Sequence, residues 1–290
     1  MSHGARLGAG LALTCALASC SSDRPSLQRE AASTPAGEAA SGAPATVTVE
    51  AKDFAFDAPV QIPAGAVTLQ LQNHGKEVHQ AMLVKLDSGK TGKDLTAALK
   101  QHGPPPAWMK WVGGPNAAAP GGQANATSVL EPGQYAYVCM IPSPDGVMHS
   151  AKGMVRTFEV TAAPSGAGKS LPETDVTIEL RDYDFESSQP LVAGKQRIMV
   201  ENAGPQAHEL VLVKLAPGKK IEDFATWAMS MKGPPPAMPV GGVGVLENRM
   251  RASFTADLTA GDYGLICFIP DAKDGKMHLV HGMMKNIKVS

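Results

Sequence analysis

The sequence predicts an all-β chain of two tandem β-sandwich domains of the Greek-key type, each with one short inserted helix. Three observations support this prediction: the chain repeats its own motifs, apolar residues alternate along short segments, and turn-forming residues are frequent. The 30 glycines and 23 prolines, together with only 5% aromatic residues, suit a turn-rich β protein better than a helical bundle.

The internal repeat is the strongest sign of domain organisation. Asp53-Phe54-Ala55-Phe56 recurs as Asp182-Tyr183-Asp184-Phe185, and His79 recurs as His208, an offset of 208 − 79 = 129. A segment rich in small residues and proline lies between the two copies. The predicted boundaries are 46–161 for domain 1, 162–173 for the linker and 174–290 for domain 2.

The segments of each copy have the periodicity of strands, with one exception. In domain 1 the alternating segments are 46–50, 67–72, 82–86, 135–139 and 154–160. Residues 92–100 and 221–231 instead space their apolar residues by three or four after an acidic start. This spacing predicts one helix in each domain.

The N-terminal residues are predicted to target the protein and to lie outside the fold. Residues 1–19 have a weakly basic start and a short apolar run, which is typical of a signal peptide. Leu17-Ala18-Ser19-Cys20 resembles a bacterial lipobox, which implies that Cys20 is lipidated; an ordinary signal peptide with a chance cysteine is the alternative. Residues 20–45 are rich in Ser, Ala, Pro and Gly and predict a disordered tether. We therefore expect a lipid-anchored protein on the periplasmic or cell-surface side of a bacterial membrane.

The charge balance argues against nucleic acid as a partner. Lys and Arg number 26 and Asp and Glu 27, which gives a formal net charge of −1. A chain without an excess of basic residues has no general attraction for the phosphate backbone.

Two cysteines remain once the N-terminal segment is set aside. Cys139 and Cys267 would lie in an oxidising compartment, where they could form one disulfide. Each, however, occupies the same place in its own repeat. This placement favours one functional cysteine in each domain.

Each domain carries the same four side chains in the same order, two histidines, one cysteine and one methionine. They are His79, Cys139, His149 and Met154 in domain 1, and His208, Cys267, His278 and Met283 in domain 2. This pattern resembles the cupredoxin family, which includes plastocyanin and azurin. The resemblance implies one type 1 (blue) copper in each domain, hence two copper ions per chain, and electron transfer with a cytochrome or another copper protein. Two imidazoles, a thiolate and a weak thioether are a compromise between the ligand preferences of Cu(I) and Cu(II).

Three other functions remain open from the residues alone. A duplicated sandwich that uses these residues only for packing is one, and a periplasmic protein for copper storage, delivery or resistance is another. The third is a two-domain copper oxidoreductase resembling nitrite reductase, but Val138 and Ile266 stand where its catalytic copper takes a histidine, and no His-x-His pair occurs. We therefore expect an electron carrier rather than an enzyme. His281 has no matching histidine in domain 1 and receives no role.

The residue after each upstream histidine differs between the domains. Gln80 follows His79, whereas Glu209 follows His208. A carboxylate near the metal stabilises Cu(II) over Cu(I). We expect the second site to have the lower potential, unless strand alternation turns Glu209 toward solvent.

Overall fold

The computed structural model describes residues 42–101 and 105–290. The predicted signal peptide, Cys20 and most of the predicted tether lie outside the described residues. None of the helices in the described part of the chain has the length and apolar character needed to cross a membrane.

Domain 1 is built from short strands and one helix. Its elements are β1 (Ala45–Lys52), β2 (Ala55–Asp57), β3 (Gln61–Pro63), β4 (Gly65–Asn73), β5 (Met82–Leu86), α1 (Gly92–Leu99), β6 (Met109–Trp111), β7 (Gln123–Leu130), β8 (Gly133–Val138) and β9 (Val155–Thr161). The helix begins with a capping box, in which Thr91 and Asp94 each bond the backbone amide of the other.

Domain 2 repeats this order except that, among the described elements, it has no counterpart of β3 and gains a short 3₁₀ helix. Its elements are β10 (Val176–Arg181), β11 (Asp184–Ser187), β12 (Gly194–Asn202), β13 (His208–Leu215), α2 (Ile221–Ser230), β14 (Ala237–Leu246), β15 (Arg251–Leu258), β16 (Gly261–Ile266), a short 3₁₀ helix (His278–His281) and β17 (Met284–Val289). The prediction of an all-β chain with two β-sandwiches and one inserted α-helix in each is confirmed.

Alternation along the strands places one apolar face inside each sandwich. In β4, for example, Leu69 and Leu71 are buried while Gln70 and Gln72 are partly exposed. The core of domain 1 also contains the stacked rings of Tyr137 and Phe158, whose centroids lie 4.3 Å apart. Burial of an apolar side chain such as Phe158 contributes about 1.5–3 kcal/mol. The packed core supports the loops that carry the predicted ligands.

One sheet of domain 1 and one sheet of domain 2 join into a continuous eight-stranded sheet. The order β11-β10-β12-β15-β7-β4-β1-β2 runs through both domains, with a bridge between Ser253 of β15 and Thr127 of β7 at the junction. The other faces are closed by the sheets β3-β9-β8-β5-β6 in domain 1 and β14-β13-β16-β17 in domain 2. Both domains consequently belong to a single compact unit.

A second contact between the domains lies near the ligand-bearing loops. Val112 bridges Leu246 and Pro115 bridges Val243, so the two segments run antiparallel. Gly113 N donates to the carbonyl of residue 245 and Gly244 N to that of residue 114, both at 2.8 Å. Val112-Gly113-Gly114 recurs as Val240-Gly241-Gly242 at an offset of 240 − 112 = 128, so matching segments meet, as they do across a two-fold axis.

Candidate metal centres

Three predicted ligands of domain 1 converge on one buried point. Cys139 Sγ lies 3.3 Å from His149 Nδ1 and 4.0 Å from His79 Nδ1. The two Nδ1 atoms are 3.1 Å apart. All three residues have no exposed surface, and we call this group site 1.

The matching residues of domain 2 form the same arrangement. His208 Nδ1 and His278 Nδ1 are 2.9 Å apart, and Cys267 Sγ lies 3.6 Å from His278 Nδ1. The three ligand atoms lie within 4.8 Å of one another, and all three residues are fully buried. We call this group site 2.

Strand ends and one loop hold the ligands in each domain. Cys139 directly follows β8 and Cys267 directly follows β16. The loop then folds back, so that Ser150 N donates to Cys139 O at 2.9 Å and Leu279 N to Cys267 O at 3.1 Å. These backbone bonds bring each loop histidine beside its cysteine before any metal is bound.

A carboxylate fixes the ring of each upstream histidine. Asp53 Oδ1 lies 2.7 Å from His79 Nε2, and Asp182 Oδ1 lies 2.6 Å from His208 Nε2. Burial opposes ionisation of Asp53, but hydrogen bonds from the amide of residue 76 and from His79 lower its pKa below the usual value. The ionised carboxylate accepts the Nε2 proton and leaves Nδ1 as the free acceptor.

The Asn-x-Gly turn before each upstream histidine makes this contact possible. A Cβ on Gly75 would stand 2.3 Å from Asp53 Oδ1 and 2.5 Å from His79 Nε2, and the matching distances at Gly204 are both 2.8 Å. Any side chain there would separate the carboxylate from the ring. The glycine in each repeat is therefore required for the contact between the carboxylate and the upstream histidine.

The loop histidines differ in their outer partners. His149 Nε2 contacts Glu77 Oε2 at 2.9 Å, whereas Gln206 occupies the matching position in domain 2. His278 Nε2 has no hydrogen-bond partner among the described residues and lies 4.0 Å from Asp271 Oδ2. The two sites thus have the same ligand atoms, but the Nε2 atoms of their loop histidines have different surroundings.

The methionines lie beside the cysteines in the core. Met154 and Met283 are fully buried, each in the same apolar cluster as the cysteine of its domain. Cys139 N donates to Met154 O and Cys267 N to Met283 O, both at 3.2 Å. Their position suits a thioether directed at the site, which stays a prediction for both residues.

Burial dominates the electrostatics of the donors. It raises the pKa of the Cys139 thiol to about 12 and moves that of Cys267 further in the same direction. Burial also lowers the pKa of His278 to about 4, with the nearby His208 adding to the effect. Burial therefore keeps the His278 imidazole neutral and ready as a ligand, and it holds both thiols protonated until a cation displaces the proton.

The donor set fits a soft cation such as copper. If Nε2 of His79 donates to Asp53 and Nε2 of His149 to Glu77, both Nδ1 lone pairs face each other across 3.1 Å. Two facing lone pairs repel, and a cation between them and the sulfur relieves that repulsion. Two nitrogens and one sulfur are also the ligand types that select copper or zinc over magnesium or calcium.

Glu209 is turned inward rather than toward solvent. Only 3% of it is exposed, and its Oε1 accepts a hydrogen bond of 3.2 Å from Phe268 N, directly after Cys267. Burial raises the pKa of this carboxyl to about 7. Glu209 is therefore not turned toward solvent, and the expected electrostatic effect on site 2 stays a prediction.

A third group of metal-binding residue types lies at the edge of site 2. Asp271, Asp274 and His281 converge, and His281 Nε2 lies 3.2 Å from Asp274 Oδ1. The corresponding loop of domain 1 has an ordinary ion pair between Lys152 and Asp145 at 2.8 Å. His281 thus takes the place of a lysine in a surface ion pair.

The carboxylates around the histidine rings were not predicted as part of the sites. Asp53 and Asp182 were visible as part of the repeat, at the same offset as the histidines, 182 − 53 = 129. That shared offset was the available signal. Nothing in the sequence indicated Glu77 or Asp271, each of which lies near the loop histidine of one domain only.

Comparisons with known proteins return structural likeness only, since no family model and no curated protein matches the chain. A dithionite-reduced auracyanin from Roseiflexus castenholzii has 23% identity and a TM-score of 0.28, and the match covers 42% of this chain and 100% of that one. Auracyanin B has 20% identity over 42% of this chain and 93% of its own, with a TM-score of 0.27. A Cu-containing nitrite reductase from Thermus scotoductus has 12% identity over 84% of this chain and 61% of its own, with a TM-score of 0.23. The case for two metal centres rests on the geometry described above.

Proposed function

We propose that this chain is a copper-binding electron carrier with one type 1 copper in each domain. The observation that carries the proposal is the convergence of two imidazole Nδ1 atoms and one thiol on a single buried point, twice in one chain. His79, Cys139, His149 and Met154 would hold one ion, and His208, Cys267, His278 and Met283 would hold the other. Copper bound there supplies a reversible one-electron couple.

The protein's own part is to hold the ligands in one geometry for both oxidation states. The Asp53 and Asp182 carboxylates orient the upstream rings, and the loop hydrogen bonds fix the others. Full burial of all six inner ligands excludes water from the metal. Little then has to move when an electron arrives or leaves, which favours rapid transfer.

The residues before the cysteines favour a carrier over an enzyme. Val138 and Ile266 are fully buried in the apolar core and offer no ligand for a second, catalytic copper. An electron carrier needs no substrate-binding position at the metal. Its partners would be cytochromes or other copper proteins, and a lipid on Cys20 would keep it at the membrane surface where they meet.

Voltammetry combined with turnover assays tests this proposal. Copper-loaded protein should give reversible one-electron waves and should cycle between oxidised and reduced forms without consuming substrate. With an artificial electron donor it should neither reduce nitrite nor oxidise phenols. Sustained copper-dependent turnover would make it an enzyme, and irreversible loss of copper on reduction would favour storage or delivery.

A further inference from the structure

One segment of domain 1 extends from site 1 to site 2. Ala118 forms two backbone hydrogen bonds with His79, of 3.1 and 2.8 Å. Two residues earlier, Asn116 Nδ2 donates to Glu209 Oε2 in domain 2 at 3.0 Å. Asn116 is completely buried and Glu209 is 3% exposed, so water does not compete for this contact.

The amide of Asn116 is directed almost wholly into domain 2. Besides Glu209, its Nδ2 lies within 3.3 Å of Leu210 O and 3.2 Å of Val243 O. Its Oδ1 accepts a bond of 2.8 Å from Ala117 N, which fixes the side chain relative to its own backbone. A buried amide with all its partners in place is rigid, because any rotation would leave polar groups unpaired.

Glu209 carries this contact to the thiol of site 2. Its backbone N–H points at Cys267 Sγ at 3.5 Å, and its Oε1 accepts from Phe268 N at 3.2 Å. The glutamate therefore contacts both the cysteine sulfur and the backbone of the residue that follows it. Asn116 in turn holds the glutamate from the other domain.

The backbone of Gln80 also bonds the sulfur of Cys139, but among the described residues no side chain of domain 2 hydrogen-bonds to this part of site 1. Gln80 occupies the place of Glu209 in domain 1. Since Ala118 bridges His79 and Leu246 bridges His208, the offset in this region is 246 − 118 = 128, and Gly244 is the counterpart of Asn116. Glycine has no side chain to reach across the interface. The side-chain contact is therefore made from domain 1 to domain 2, and Gly244 cannot make the reverse contact.

We propose that Asn116 is a positioning residue for site 2, so that domain 1 sets the geometry around Cys267 through Glu209 while domain 2 makes no equivalent contact with site 1. The proposal deepens the proposed function, because the thiol concerned is a copper ligand there. It also makes a claim about the metal-free protein. The environment of Cys267 should depend on a residue of the other domain, and that of Cys139 should not.

Thiol labelling of the metal-free, full-length mature chain tests this claim without any metal. We expect Asn116→Ala to speed the labelling of Cys267 several-fold and to leave Cys139 unchanged, with the two peptides resolved by mass spectrometry. Asn116→Ser, which keeps a small polar group, is the second variant if the alanine protein folds poorly. The matched control is Asn125→Ala, since Asn125 bonds Thr255 N and O across the same interface, at 2.8 and 2.7 Å, without contacting Glu209.

The outcomes separate a positioning role from general loosening of the interface. Faster labelling of Cys267 alone, in the Asn116 variants only, supports the proposal. An unchanged rate, an equal rise at both cysteines, or the same effect in Asn125→Ala overturns it.

A spectroscopic readout addresses the copper-loaded protein. In a Cys139→Ser background, where only site 2 can bind copper through a thiolate, Asn116→Ala should shift the thiolate-to-copper absorption band. In a Cys267→Ser background the same change should leave the band of site 1 in place. A shift at site 1 alone, or at neither site, contradicts the proposal. If the parent protein forms no blue site, the proposed function fails while the labelling result still decides the role of Asn116.

Discussion

The Nδ1 atoms of His79 and His149 face each other across 3.1 Å, while the Nε2 of each ring contacts a carboxylate of its own. In domain 2 the two Nδ1 atoms also face each other, and the Nε2 of the upstream histidine also contacts a carboxylate. The Nε2 of the loop histidine does not, because it lies 4.0 Å from Asp271 Oδ2. A cation fits between the inner nitrogens of both pairs. The outer contacts make the two sites inequivalent.

Asp53→Asn tests the role of the carboxylate behind the ring. Replacing it should leave His79 less basic and less firmly oriented, and outer partners of metal-bound histidine typically contribute about 10–100-fold to metal affinity. We therefore expect copper binding at site 1 to weaken by about that factor, measured by competition with a chelator in a Cys267→Ser background. Asp57→Asn, which alters an exposed carboxylate on β2, is the control. Equal affinity in Asp53→Asn and in the control would exclude this role for Asp53.

The sequence was sufficient to predict the parts of the molecule that repeat. Alternation along β4 and β12, helices α1 and α2, and the grouping of two histidines with one cysteine in each domain all follow from patterns present twice. The interface could not be predicted, because the contact of Asn116 with Glu209 joins residues 209 − 116 = 93 apart with no periodic signal. Glu209 is buried because β13 is covered on both faces, so alternation along this strand does not distinguish an inward from an outward position.

Acid should destabilise the metal-free protein. Burial lowers the pKa of His278 from 6.5 to about 4, and burial lowers the pKa of His79 and His208 in the same direction. Between those values the unfolded chain binds more protons than the folded one, so stability is lost as the pH falls from about 6.5 to 4. At 1.36 kcal/mol for each unit, His278 alone accounts for at most about 3 kcal/mol.

Urea unfolding of the metal-free protein at several pH values measures this loss. The raised pKa of Glu209, about 7, has the opposite sign, since a protonated carboxyl is favoured in the fold as the pH falls toward 4.5. Glu209→Gln removes that opposing contribution and should steepen the loss on acidification. His278→Gln should flatten it. An unchanged pH dependence in His278→Gln would contradict the assignment.

Glu209→Gln should also raise the potential of site 2. Above its pKa of about 7 the buried Glu209 carboxylate is charged and stabilises Cu(II), and at an effective dielectric of 20 and a separation of about 8 Å the Coulomb energy is roughly 2 kcal/mol. For one electron this corresponds to an upward shift of at most about 90 mV when the charge is removed. Voltammetry of the two-copper protein contains its own control, because the wave of site 1 should not move. A stationary site 2 wave would show that Glu209 does not tune the metal.

Lipidation at Cys20 is a prediction for the part of the chain outside the described residues. The Leu17-Ala18-Ser19-Cys20 segment predicts cleavage before the cysteine and diacylglycerol on its sulfur. Mass spectrometry of the mature N-terminus from membranes should therefore find acylated Cys20, and Cys20→Ser should release the protein from the membrane fraction. A mature chain that begins elsewhere and carries no lipid would indicate a freely secreted protein.

Copper titration of the full mature chain, followed by visible absorption, tests the central claim most directly. We expect the intense thiolate-to-copper band to grow until two ions are bound, one in each domain. The Cys139→Ser protein and the Cys267→Ser protein should each bind one ion, because each thiol is a ligand in its own domain only. Each protein should keep the part of the absorption band that comes from the unchanged site. Saturation at one ion, loss of all colour in either single variant, or binding without an intense band would contradict two independent blue copper sites.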